Sequence, residues 1–346
     1  MSDSLGKNAL LSLASIIFAS GALVGAYELY RDIEYARWHE EYTQKGDWYG
    51  QITVPSPDPI LMWEYGPNRS NAAHHLATNR YGFRQSDDVS KTKPAGTHRV
   101  AFIGDSVTLG LLVPESGTFV SQFRSMGDGH FGDKRLESLN FGVDGYNTLQ
   151  IEQNLKTKVV DYSPDHVIYM LCLNDFDFDD ASGLKIYYFK KPRSFTLRSL
   201  STVHRRMFFD GMDFHTYSFS KNNKQVFQSI YRMSKLLDEK NIIFSVVVLP
   251  IFQGSTVIDM VRGARTIPTD SFADYAVAPI HWAIAEALAR HGIHVVDLLE
   301  AFSRQGQPPS HYAFDVWHPN ERGHRLIARA LADAILPPGQ LLTSGL

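Results

Sequence analysis

From His98 onward, short apolar runs alternate with longer stretches of helical period, and few folds accept that alternation. Residues 99–103, 136–141, 167–171, 242–249 and 293–296 are nearly continuous in apolar side chains, as strands buried on both faces require. Between them, Ile151, Leu155 and Val159 share one helix face, as do Val226, Ile230, Met233 and Leu237, and likewise Val277, Ile280, Ile284 and Leu288. Gly292 follows the last set where a helix C-cap belongs. Strands of this kind joined by amphipathic helices make right-handed βαβ units. The spacing therefore predicts a three-layer α/β/α domain around a parallel sheet, from about residue 98 to 338. Residues 176–224 have no clean period and read as an insertion, either solvated with some helix of its own or a substrate-contacting lid.

Ahead of this domain, residues 9–27 carry no charge, and about 19 residues of helix rising about 1.5 Å each nearly span the ~30 Å hydrocarbon core of a bilayer. The segment reads as a transmembrane anchor over residues 8–28, with residues 1–7 as a cytoplasmic tail. A cleaved signal peptide, processed near Val24-Gly25-Ala26, and a buried core helix are the alternatives. Lys7 precedes the segment, whereas Glu28, Asp32, Glu34, Glu40 and Glu41 follow it with only Arg31 and Arg37, so the positive-inside bias places the bulk of the chain outside the cytoplasm. Residues 29–97 read as a stalk and N-terminal extension, because Pro55-Ser56-Pro57-Asp58-Pro59 cannot continue a helix, and 339–346 as a C-terminal tail.

Lys and Arg number 34 against 37 Asp and Glu, and 34 − 37 = −3 leaves no electrostatic footprint for nucleic acid. With 44% hydrophobic and 21% charged residues the chain has the composition of a folded globular protein. The single cysteine, Cys172, excludes both an intramolecular disulfide and a cysteine-rich metal site.

In an open parallel sheet the ligand site lies beyond the carboxyl ends of the strands. The first strand runs into Gly104-Asp105-Ser106, the second into Gly142, and the third into Asn174-Asp175. After the last strand, Asp315-Val316-Trp317-His318 puts a carboxylate and an imidazole three residues apart, on one side of a single turn. A serine hydroxyl becomes a nucleophile when an imidazole accepts its proton, and a carboxylate fixes that imidazole's tautomer. Ser106, His318 and Asp315 supply these groups, and Gly142, Asn174 and the N–H of Ser106 can supply donors for an oxyanion.

These four blocks, in this order and near these spacings, resemble the SGNH (GDSL-type) hydrolase superfamily over roughly residues 98–338. The flanking Gly142-Val143-Asp144-Gly145-Tyr146 and His318-Pro319-Asn320-x-x-Gly323-His324 are similar to that family's contexts, and Asn79-Arg80-Tyr81-Gly82-Phe83-Arg84 resembles the lead-in of some membrane-anchored bacterial members. The resemblance implies a flavodoxin-like sheet with Ser106 as nucleophile, His318 as base, Asp315 as its partner, and Ser106, Gly142 and Asn174 as oxyanion donors. It implies no metal or organic cofactor. Two departures stand out: Cys172 where the third block usually has glycine, and Val107 where leucine usually follows the nucleophile.

The expected activity is that of a serine esterase removing a small acyl group such as acetyl, through an acyl-enzyme, from an extracytoplasmic glycan or lipid. An O-acyltransferase acting on an envelope polysaccharide and a non-catalytic glycan-binding or assembly subunit are the alternatives. Expected partners are an ester-bearing small molecule or acylated glycan, and the membrane through the N-terminal helix. Asp105 and Asp175 read as structural residues of their turns, Cys172 as a small buried hydrophobe, and His324 as a capping or surface residue. His74-His75 and His291-x-x-His294 lack the carboxylate or cysteine pattern of a metal site, and the Lys and Arg residues around 185–206 read as a solvated face.

Overall fold

Five apolar runs become the five strands of one sheet in the computed structural model, which describes residues 2–45, 52–86, 89–127, 129–176, 194–208, 212–254, 267–268, 271–272 and 277–336. They are β1 (Thr97–Gly104), β2 (Arg135–Gly142), β3 (His166–Leu171), β4 (Ile243–Val248) and β5 (His294–Asp297). Their order across the sheet is β2-β1-β3-β4-β5, with every pairing parallel. This is the flavodoxin-like order, whose switch point lies where β1 is flanked by β2 and β3. Every residue of β3, the central strand, is buried, because helices cover both faces.

The helices are α1 (Ser2–Lys45), α2 (Ser106–Leu109), α3 (Phe119–Met126), α4 (Thr148–Thr157), α5 (Phe195–Phe208), α6 (Phe214–Asp238), α7 (Ala278–Ala289), α8 (Leu299–Ser303) and α9 (Glu321–Ile335). α3 packs with α9, and α6 with both α4 and α7, which accounts for the two outer layers. Their starts are set locally. Asn147 and Gln150 form a reciprocal capping box for α4, Asp213 accepts the Thr216 N–H at 2.9 Å for α6, and Asn320 accepts from Arg322 and Gly323 for α9. Gly292, at φ +71°, makes the turn between α7 and β5.

Two expectations change. α1 is one helix to Lys45, so residues 29–45 continue the apolar segment's helix instead of starting a separate stalk. Residues 52–86 are no stalk either. They form two short antiparallel pairs, Thr53–Pro55 with Trp63–Tyr65 and Ser70–Asn71 with Leu76–Ala77, and bury Ile52, Leu61, Trp63, Tyr65, Leu76 and Phe83 in the same core as the sheet. Part of the 176–224 interval is helical, since it contains α5 and the first turns of α6. Residues 177–193, with Tyr187, Tyr188 and Phe189, lie outside the described residues, as does the 339–346 tail.

Arg84 fixes this N-terminal layer to the sheet. Its guanidinium is buried and donates to the carbonyls of Leu109 at 2.7 Å and His75 at 2.9 Å, and to those of Gly110 and Val113. Burial pulls the guanidinium down to about 10, still far above neutral pH, so the side chain stays charged.

Candidate active site

β1 ends at Gly104 and the chain turns through Asp105 into α2, which puts Ser106 at the first position of a helix beside the switch point. An N–H at that position has no carbonyl one turn back to receive it. Ser106 is only 4% exposed, and its Oγ lies 2.9 Å from His318 Nε2. His318 sits in the turn before α9, where Asp315 Oδ2 lies 2.7 Å from Nδ1 and Oδ1 accepts the backbone N–H groups of Trp317 and His318, each at 2.9 Å. The three residues named from the sequence therefore form one hydrogen-bonded relay.

The electrostatics follow from the same contacts. Burial pulls the His318 imidazole down, but the hydrogen bond and charge of Asp315, with the nearby charges of Asp144 and Asp105, outweigh it and leave the pKa above 6.5. Asp315 is pushed up by burial and held below 3.8 by His318 and the two backbone N–H groups.

Beneath the serine lies a buried polar cluster. Asp105 Oδ1 accepts the Val107 N–H at 2.9 Å and Oδ2 accepts Asn174 Nδ2 at 2.8 Å, so it aims the Asn174 amide while leaving its second N–H hydrogen unused by that bond. Asp175 Oδ2 accepts from Tyr169 Oη at 2.9 Å and from the Cys172 N–H at 3.0 Å. Burial raises both carboxyls above 3.8, Asp175 well above, with the Asp144 charge adding at Asp105 and the Asp105 charge adding at Asp175. Both act as braces of their turns. Cys172 is buried, with Sγ 3.6 Å from Asp105 Oδ1, and burial pushes its thiol well up, which leaves it a small packing residue.

The glycine differs from the expectation. The Gly142 N–H is donated to Asn140 Oδ1 at 3.0 Å, and a Cβ built there would lie 2.2 Å from the Leu109 nitrogen. Gly142 is thus required for the close packing of α2 on β2, and its N–H is already occupied. Gly145, three residues on, has φ +75°, is partly exposed, and its N–H is donated to no other backbone or side-chain group among the described residues. Its loop flanks the relay, since the Asp144 charge is felt by His318. Tyr65 Oη holds this loop by accepting the Asp144 N–H at 3.0 Å, while Tyr146 Oη donates to the Trp63 carbonyl. The sequence signal for Gly145 was the second glycine of Gly142-x-x-Gly145, just ahead of the capped start of α4.

His324 is buried instead of capping or solvated. Its ring stacks on Phe119 at 5.6 Å and Nδ1 accepts the Phe119 N–H at 3.1 Å, with burial lowering it to about 3. Among the described residues, no group of three His, Cys, Asp or Glu is placed to hold a metal ion.

With this geometry in place, comparison with known proteins decides the family. The family model of GDSL-like lipases and acylhydrolases matches residues 102–326, well over half of the chain. The chain belongs to that family. It is accordingly an ester-hydrolysing enzyme of the GDSL fold. Among solved structures, it is similar to a catalytic mutant of an acetylxylan esterase from Geobacillus stearothermophilus, with 15% identity, 72% of this chain and 98% of that chain covered, and a TM-score of 0.44. It is also similar to a member of the lipolytic G-D-S-L family from Veillonella parvula, with 18% identity, 69% and 98% covered, and a TM-score of 0.42. No curated protein matches the sequence.

Proposed function

We propose that this GDSL-family enzyme is a serine esterase that removes a short acyl group, such as acetyl, from an acylated glycan or lipid outside the cytoplasm. The observation that carries the reading is the unbroken Asp315–His318–Ser106 relay, with bonds of 2.7 and 2.9 Å. In this reading Ser106 Oγ attacks the ester carbonyl while His318 Nε2 takes its proton, and Asp315 stabilises the imidazolium. The N–H groups of Ser106 and Gly145 and the Asn174 amide receive the oxyanion, with Gly145 in the place first expected of Gly142. His318 then protonates the leaving alcohol, and a water that gives its proton to the same nitrogen cleaves the acyl-enzyme, restoring Ser106 and releasing the acid.

The low exposure of Ser106 supports a short acyl chain over a long one. The stretch of α1 over residues 8–28 acts as the membrane anchor. An 18-residue window within Lys7–Arg37 has a mean hydropathy of 2.1 and is not buried among the described residues, which supports this, and the charges on either side of the stretch favour an extracytoplasmic enzyme.

The test is hydrolysis of p-nitrophenyl acetate, butyrate and octanoate by the full chain in detergent, with Ser106→Ala in parallel. Acetate turnover that exceeds octanoate turnover and vanishes in the variant is the expected result. A folded chain inert toward all three overturns the esterase reading, and faster acyl transfer to a glycan hydroxyl than to water replaces it with an acyltransferase.

A further inference from the structure

Among the described residues, α5 presents an apolar face to solvent. Leu197, Leu200, Val203, Met207 and Phe208 are between 48% and 71% exposed, although a helix of a soluble domain turns such residues inward. At about 100° per residue they fall within one arc roughly 140° wide, which also holds Thr196 and His204, and positions 198, 205 and 206, all arginine in the sequence, fall on the opposite arc. A helix with a wide apolar arc and a cationic opposite arc is built to lie in a boundary between water and oil.

The place where α5 is tied down says which boundary. Its first turn is held by one residue of α1: Glu28 accepts from Ser194 Oγ at 2.7 Å, the Phe195 N–H at 3.0 Å and the Thr196 N–H at 2.8 Å, and the Arg31 guanidinium lies 5.0 Å from the centre of the Phe195 ring. Glu28 is also the first charged residue after the uncharged run of residues 8–27, which at about 1.5 Å per residue matches the ~30 Å hydrocarbon core. The apolar stretch of α1 is itself unburied by the rest of the chain. The exposed face of α5 therefore begins level with the point at which α1 emerges from lipid.

We propose that α5 is an interfacial helix whose apolar face rests in the headgroup boundary of the bilayer that α1 crosses, with anionic lipid as its partner. This inference rests on the reading of α1 as a membrane anchor. α5 then forms a second foot that stops the domain from swinging freely on α1. Its apolar side chains reach about 5–10 Å into the lipid, and the arginine-bearing arc attracts anionic headgroups.

The test uses the full chain in vesicles of phosphatidylcholine and phosphatidylglycerol, with a polarity-sensitive fluorophore at a single introduced cysteine. The sites are Leu200→Cys and Met207→Cys in α5, Leu23→Cys in α1, and Arg304→Cys on an exposed surface of the domain. Cys172 is buried with a raised thiol pKa, so the parent chain provides the unlabelled control. The expected result is a blue shift at 23, 200 and 207, with loss of emission when nitroxide-bearing lipid is added, and neither change at 304. Replacing phosphatidylglycerol by phosphatidylcholine should reduce the effect at 200 and 207 but not at 23. Quenching at 23 with none at 200 or 207 overturns the interfacial helix and leaves the anchor standing, whereas no quenching at 23 removes the anchor and the inference together. A blue shift at 200 and 207 that lipid does not quench, with energy transfer between labelled copies, overturns it in favour of a second copy of this chain.

Discussion

Replacing Asp315 by asparagine tests the relay most sharply, because both of its carboxylate oxygens are acceptors in use. Oδ1 takes the Trp317 and His318 N–H groups at 2.9 Å each, and Oδ2 takes His318 Nδ1–H at 2.7 Å. An asparagine offers one acceptor oxygen and one donor nitrogen. Keeping the oxygen on the two backbone donors turns the amide nitrogen toward Nδ1, which must then accept. The imidazole proton is forced onto Nε2, the atom that should receive the Ser106 proton. The reverse orientation sets the amide hydrogens against two N–H groups and loses two bonds to keep one, so the unproductive tautomer wins. In a Ser-His-Asp relay this swap costs about 10⁴ in kcat, about 5.5 kcal/mol. The acid limb should move as well. Catalysis needs neutral His318, whose pKa is raised above 6.5, so the parent enzyme's rate is lost as pH falls through a value above 6.5. Without the Asp315 charge, burial dominates and the limb shifts to lower pH. Initial rates on p-nitrophenyl acetate from about pH 5 to 9 report both effects. A variant that keeps kcat within tenfold, with its acid limb unmoved, would refute the reasoning.

Asn174→Ala removes a side-chain donor from the oxyanion site and should lower kcat by about 10²–10³ with little change in KM, read from the same ester assay. Gly142→Ala forces a methyl against the Leu109 backbone, and should destabilise the fold by about 3 kcal/mol or more in urea unfolding. Glu152 accepts from Ser229 Oγ at 2.6 Å and from Arg232 Nε at 2.8 Å, and also from Lys156. Burial pushes its carboxyl up, but these donors prevail and hold it at about 2 against an ordinary 4.5. The resulting stability is complete above pH 4.5 and is lost as pH falls toward 2. Because Arg232 and Lys156 are half-exposed it amounts to about 1–2 kcal/mol, and Glu152→Gln should flatten that acid loss in unfolding curves.

How much of this was legible depended on how local each interaction is. The strands and the Asp315-x-x-His318 pair were readable because a period or a single turn defines them, and Ser106 because it follows an apolar strand. The choice between Gly142 and Gly145 was not, since it turns on where the Asn140 side chain points. Residues 52–86 read as part of a stalk and N-terminal extension because the partners of Arg84 and Tyr65 lie far along the chain, Leu109 and Gly110 for the one and Asp144 for the other. The burial of His324 has a readable cue in the sequence, since it shares a face of α9 with Ile327, Ala328 and Leu331, all buried.

The guanidinium of Arg84 bears on how the enzyme can be cut. A soluble fragment beginning at His98 would keep every residue of the relay, yet the carbonyls of Leu109, Gly110 and Val113 would lose their shared donor. The Leu109 and Gly110 carbonyls keep only the longer bonds from Asn140 Nδ2 and the Val113 N–H, and that of Val113 keeps none among the described residues, at about 1–3 kcal/mol. The buried Ile52, Leu61, Trp63, Tyr65, Leu76 and Phe83 would go as well, a large loss beside the about 5–15 kcal/mol by which a whole domain is usually stable. Truncation aimed at removing the apolar helix therefore belongs ahead of Ile52, and a fusion or domain swap joined at residue 98 would inherit an intact catalytic set on a scaffold that barely holds.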